Sequence, residues 1–202
     1  MTPTRAIAWA VAVAALVFAA ALARGQPAAV DAATDMVIGD AAAPITIIEF
    51  ASMTCPHCAR FHSDTLPALT RDYLDTGKAR LVFRDFPLDG LALAAAQLAR
   101  CAGESRYFAF IEVLFREQQT WATATDPVAA LGRIARLGGL SAERFSACLE
   151  DDELTRGILE QRSSALSEYD IQSTPSFIIN GEKHVGALSA DNLDAVLQPL
   201  LR

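Results

Sequence analysis

Apolar positions along this chain switch between two periods. Ile45-Thr46-Ile47-Ile48-Glu49-Phe50 is a short, almost continuous apolar run, the pattern of a buried strand. The segment 56–75 is polar and helix-prone, with Gly77 as its stop and Pro67 inside it, where a kink is expected. Ala79-Arg80-Leu81-Val82-Phe83-Arg84 alternates enough to predict a second strand, parallel to the first and ended by Phe86-Pro87-Leu88. From Asp89 to about Tyr169 the period becomes helical. Asp89 precedes the alanine-rich run 91–102, and Tyr107, Phe108, Ile111, Leu114 and Phe115 recur at helical spacing as a core stripe. Asp126-Pro127 opens a further helix that Gly138-Gly139 closes, Ser141 caps the next, and 152–168 is amphipathic. The strand pattern then returns. Ser176-Phe177-Ile178-Ile179 and Glu182-Lys183-His184-Val185 flank Asn180-Gly181, the strongest local hairpin signal, and Ser189 caps a last helix over 190–201.

Cys55-Pro56-His57-Cys58 falls at the turn between the first strand and the first helix. That placement changes the picture, because residues three apart share a helix face and their sulfurs can close or open a disulfide with little backbone movement. Cys55 sits where unpaired N–H groups and the helix dipole favour an anion, and thiolate is the reactive form. Cys55 is therefore the expected attacking cysteine and Cys58 the resolving one. A zinc site would need a second pair of ligands, and Cys101 and Cys148 each stand alone. A purely structural bridge is disfavoured too, because so small a loop constrains the unfolded chain little. The element order is β-α-β, a helical block, then β-β-α. With the redox motif it predicts an α/β thioredoxin fold divided by an inserted all-helical subdomain.

The N-terminus carries one charge, Arg5, before an uncharged, alanine-rich run of 18 residues from Ala6 to Ala23 that ends in Ala21-Leu22-Ala23. This is the layout of a secretory signal peptide, with an uncleaved membrane anchor as the alternative. The expected organisation is a signal peptide over 1–23, a linker over 24–35, thioredoxin-like residues 36–88 and 170–202, and the helical subdomain over 89–169. Export places the cysteines where disulfides persist. Net charge is −7, and removing residues 1–23, which carry only Arg5, makes it −8. That balance excludes the basic footprint of a nucleic-acid binder.

Taken together, Glu49-Phe50 ahead of the CPHC, Phe86-Pro87-Leu88 before the helices, and Thr174-Pro175-Ser176-Phe177 before Asn180-Gly181 resemble the DsbA family of exported thiol-disulfide oxidoreductases. The resemblance spans 36–202 and implies several roles. Cys55 attacks, Cys58 resolves, and His57 tunes the thiolate. Pro175 follows Thr174 through a cis bond beside the cysteines, forming a loop that meets substrate. Glu49 moves a proton to or from Cys58, although a strand-end carboxylate facing water is the competing reading. His62, one turn beyond Cys58, reads as an ordinary helix-surface histidine. Thr174 departs from the valine of the best-known oxidising members and matches isomerase relatives. Only about 20 residues separate the leader from the first strand, too few for an isomerase dimerisation domain. A monomer is expected.

Cys101 and Cys148 are expected to form a second, non-catalytic disulfide, as in some family members. In the chain-entropy model a loop of about 48 residues is worth roughly 4 kcal/mol. No metal or organic cofactor is expected beyond the Cys55–Cys58 disulfide. The expected activity is donation of that disulfide to unfolded, newly exported cysteine-containing proteins in the periplasm, with a DsbB-type membrane partner as reoxidant. A disulfide isomerase or reductase, or a periplasmic peptide-binding chaperone, is the alternative.

Overall fold

The computed structural model describes residues 35–201. The expected signal peptide and all of the linker except Asp35 lie outside them. Five strands form one sheet: β1 (Met36–Gly39), β2 (Ile45–Ala51), β3 (Ala79–Asp85), β4 (Ser176–Ile179) and β5 (Glu182–Val185). Their order is β1-β3-β2-β4-β5, with β2 and β3 parallel and the other pairs antiparallel. β2 is central and every one of its residues is buried. Successive side chains of a strand face opposite ways. Ile45 and Ile47 accordingly pack with Phe61, Leu69 and Leu197 on one face, while Ile48 and Phe50 pack with Phe86, Ala165 and Ile171 on the other.

Helix α1 (residues 56–74) packs on the first of these faces. It is built of two α-helical segments, Pro56–Arg60 and Leu66–Leu69, each followed by a π-helical turn, Phe61–Thr65 and Thr70–Leu74. The expected kink takes this form. Pro67 has no N–H to donate, and the turn before it widens so that the Leu66 N–H reaches the Phe61 carbonyl. Gly77, at φ +70°, ends the helix with paired bonds from Gly77 N–H to Leu74 and from Lys78 N–H to Tyr73, the Schellman arrangement.

Between β3 and β4 run α2 (Gly90–Cys101), α3 (Glu104–Arg116), α4 (Gln118–Ala122), α5 (Pro127–Leu137), α6 (Ala142–Leu149) and α7 (Asp152–Tyr169). Side-chain caps start four of them: Asp89, Asp126, Ser141 and Asp151. After β5, α8 (Ala190–Leu197) gives way to a 3-10 turn over Gln198–Leu201. The Asn180-Gly181 hairpin has positive φ at both residues, as its tight turn requires.

β1 is an element that apolar pattern alone does not reveal. It is four residues long and is held at the sheet edge by pairing with β3. Asp35, just before it, forms a buried two-pronged ion pair with Arg84 of β3, at 2.7 and 2.8 Å. Asp85 receives the Arg100 guanidinium of α2 at 2.6 Å, so charged pairs pin the helical block to the end of the sheet. Cys101 of α2 and Cys148 of α6 form a disulfide at a Cα–Cα distance of 6.2 Å. Replacing both by alanine is expected to cost roughly 2–4 kcal/mol in urea unfolding. A cost below about 1 kcal/mol would show that the helical block does not depend on the bridge.

Candidate active site

Cys55 is the N-cap of α1, in extended backbone with Pro56 at the first helical position. A turn bond from its N–H to the Ser52 carbonyl bends the chain out of β2, and its carbonyl accepts the Ala59 N–H as the first helical bond. The pair is in the dithiol form here, with Cys55 6% exposed and Cys58 fully buried. These two environments separate the sulfurs electrostatically. The Cys58 thiol hydrogen-bonds the Cys55 sulfur and is the chief reason that Cys55 ionises at about 5 rather than 9. Burial works against this, while the Thr174 hydroxyl and the backbone N–H groups of Cys58 and His57 add to it. The same events push Cys58 far up: burial first, then its bond to Cys55, then the negative charge of Glu49.

The Thr174–Pro175 peptide bond is cis, and the Thr174 carbonyl lies 3.2 Å from Cys55 Sγ, which donates to it as the thiol. Thr174 Oγ1 is buried with no conventional hydrogen-bond partner among the described residues. It is therefore free to turn its proton toward a Cys55 thiolate. His57 is exposed, and its Nδ1 accepts from the Arg60 guanidinium at 2.7 Å. The part of His57 that lowers the Cys55 ionisation is its backbone N–H.

Glu49 is wholly buried at the middle of the sheet, opposite Phe83 and Phe177. The water-facing reading is therefore corrected: β2 has neighbours on both sides and no solvent face. His62 is corrected as well. Its side chain is 6% exposed, and Nε2 lies 3.1 Å from both Glu49 carboxylate oxygens. The signal was available in the spacing. His62 is four residues from Cys58, and a helix that turns one inward turns the other inward too.

Gln118 has no comparable local signal. It comes from α4 in the helical block, and its Nε2 donates to the carbonyls of Met53 at 2.8 Å and Cys55 at 3.0 Å. It thus ties the redox turn to the inserted helices. Gln118→Ala removes both bonds and leaves the Met53 carbonyl without this donor, while the Cys55 carbonyl keeps the Ala59 N–H, and a loss of about 1–3 kcal/mol is expected in urea unfolding. An unchanged midpoint would show that this clamp carries nothing. Cys101 and Cys148 lie in the helical block, away from the redox turn, on α2 and α6. Among the described residues no group of three or more His, Cys, Asp or Glu side chains is disposed to hold a metal ion.

This arrangement can form, pass on and re-form a disulfide at an exposed turn. Known proteins share it. The family model described as thioredoxin matches residues 31–199. A Rickettsia typhi protein named "Putative protein-disulfide oxidoreductase" is 35% identical over 148 residues, which is 73% of this chain and 55% of that protein. A Rickettsia felis protein of the same name is 33% identical over 83% of this chain and 60% of its own length. The chain thus spans little more than half of these curated relatives. The crystal structure of Wolbachia pipientis α-DsbA1 superposes with a TM-score of 0.76 at 34% identity, covering 83% of this chain and 90% of that one. Oxidised BdbD from Bacillus subtilis, at 23% identity and a TM-score of 0.76 over 88% and 96%, shares the fold.

Proposed function

Because this chain belongs to the DsbA family of the thioredoxin superfamily, we propose that it is a thiol-disulfide oxidoreductase that donates a Cys55–Cys58 disulfide to cysteine-containing proteins folding after export. One observation carries the reading: the two sulfurs of one turn are driven apart, Cys55 toward the anion at about 5 and Cys58 toward the neutral thiol. A substrate thiolate attacks Cys55 Sγ, the more accessible sulfur. The Cys55–Cys58 bond breaks and its electron pair leaves on Cys58. A second substrate thiolate then attacks the substrate sulfur of the mixed disulfide and expels Cys55, the better leaving group because its thiolate is stable. The substrate has lost two electrons and gained a disulfide, and the enzyme holds the dithiol.

The catalytic roles follow the same geometry: Cys55 as nucleophile, Cys58 as resolving thiol, and Glu49 as the buried acid beside Cys58. Thr174 and Pro175 form the loop that a substrate backbone meets, and the His57 N–H supports the thiolate. A DsbB-type membrane protein is the proposed reoxidant, and the periplasm the proposed compartment. Among the described residues no helix is long and apolar enough to cross a membrane. A monomer is the proposed state.

The experiment is direct. Oxidised protein is mixed with a reduced, unfolded model protein, and thiols are counted with time. Stoichiometric transfer of one disulfide per enzyme is expected, and no transfer refutes the reading. Thr174 supports a second reading, an isomerase, since its hydroxyl stabilises the dithiol form in which an isomerase attacks wrong disulfides. Rapid rescue of a scrambled, wrongly bridged protein would select it. Thr174→Val is expected to move Cys55 ionisation upward by removing one of its hydrogen bonds. An unmoved titration would take the hydroxyl out of the mechanism.

A further inference from the structure

We propose that His62 is a positioning residue that resupplies the proton Glu49 passes to Cys58, with the cavity between α1 and α3 as its route to water. The inference rests on the exchange reaction proposed above. That reaction leaves an electron pair on a sulfur with no solvent exposure. A thiolate there is costly unless a proton arrives with the bond cleavage. Glu49 is the acid whose charge bears on Cys58, yet it is itself buried and cannot draw on bulk water.

His62 links the two regions. Nε2 bonds both Glu49 oxygens at 3.1 Å, and the same ring lines a cavity of about 700 Å³. That volume admits water, and the rim is open where Ser63, Arg71 and Glu112 are exposed. Nδ1 makes no hydrogen bond among the described residues. Packing alone does not call for an imidazole here. The ring lies between Phe61, Phe83 and Phe115, with the Phe115 centroid at 4.3 Å, and a large apolar side chain would suit that neighbourhood. Replacing a buried polar pair by apolar groups is often neutral or stabilising, so stability alone does not account for the imidazole on Glu49.

The proton path balances. The bond between the enzyme sulfurs breaks, Glu49 delivers a proton to Cys58 Sγ, and the carboxylate so formed takes the Nε2 proton of His62 as Nδ1 gains one from cavity water, which bulk solvent reprotonates. Reoxidation runs the path outward. Other charges on the wall of the same cavity come from α1, as Arg71, from Asp75 just past its end, and from α3, as Glu112 and Arg116. Tyr107, also on α3, feels the Glu49 charge but turns its hydroxyl to Asp85, while β1 and β3 bring only Ile38 and Phe83.

The test is single-turnover disulfide transfer to a dithiol peptide between pH 5 and 9. His62→Gln keeps an N–H toward Glu49 but cannot relay a proton. Its transfer rate is expected to fall about 10- to 100-fold at neutral pH, with the pH profile altered and Cys55 still ionising near 5. Added imidazole is expected to restore rate to His62→Ala through the cavity. Wild-type rates in His62→Gln at every pH would overturn the proposal. Should the variants not fold, NMR titration of His62 in the unaltered protein decides: a midpoint that differs between the disulfide and dithiol forms supports the relay, and identical midpoints overturn it. This second measurement needs no turnover, so failure of the relay is distinguishable from failure of the proposed activity.

Discussion

Cys55→Ser is expected to abolish disulfide transfer to background in the thiol-counting assay. A serine hydroxyl neither forms the enzyme disulfide nor ionises near neutral pH, so attack by a substrate thiolate finds no electrophilic sulfur at the turn. Cys58 cannot substitute for it. It has no exposed surface, and burial together with Glu49 holds it as the neutral thiol. The companion variant Cys58→Ser has a different expected outcome. Cys55 remains accessible and reactive, but a mixed disulfide with a client has no internal thiol to release it. Offered a client that already holds a disulfide, the Cys55 thiolate attacks it and expels one client thiol, and the mixed disulfide so formed should accumulate and be visible by mass spectrometry. Retained transfer in Cys55→Ser would end the proposed mechanism, since nothing else among the described residues presents a reactive sulfur.

Which of the two sulfurs is the anion was legible in the placement of the motif, because a helix N-terminus favours an anion, while the larger causes, the bond from the Cys58 thiol and the burial of Cys58, are tertiary. The order of elements from β2 onward was legible for the same kind of local reason. Asn180-Gly181 demands a tight hairpin, Asp126-Pro127 and Ser141 start helices, and Gly77 stops one. What escaped a linear reading was set by tertiary pairing. β1 is only four residues, and its partner β3 lies more than 40 positions away. β2 is buried on both faces, so its apolar run carries no alternation to say which way Glu49 points. Gln118 reaches the redox turn from another helix across 63 residues of sequence, and no pattern in α4 announces it. His62 stands between these cases. Its inward direction followed from Cys58 one turn earlier, but a histidine amid Ser63 and Asp64 looks like surface when composition is weighed before geometry.

The second large effect is a pH dependence of the reduced protein. Cys55 ionises at about 5 in the fold, chiefly because the Cys58 thiol donates to it, and at about 9 as an ordinary thiol. Its folded value is depressed, so the anion adds stability fully above pH 9, progressively less between 9 and 5, and none once pH falls through 5. Each unit is worth about 1.4 kcal/mol. At pH 7, two units above the folded value, the gain is therefore up to ~3 kcal/mol, with residual solvent contact lowering it. The disulfide form has no such anion. The dithiol should thus be the more resistant form in denaturant near neutral pH. That gap should narrow as the solution is taken from pH 7 to 5, apart from groups that titrate alike in both forms. The same free energy makes the disulfide easier to give away, by ~60 mV at pH 7 for a two-electron couple. Alkylation of Cys55 followed from pH 3 to 9 gives the direct measurement. A midpoint near 5 is expected. A midpoint near that of free cysteine, with a gap that does not move with pH, would leave the turn without its oxidising drive.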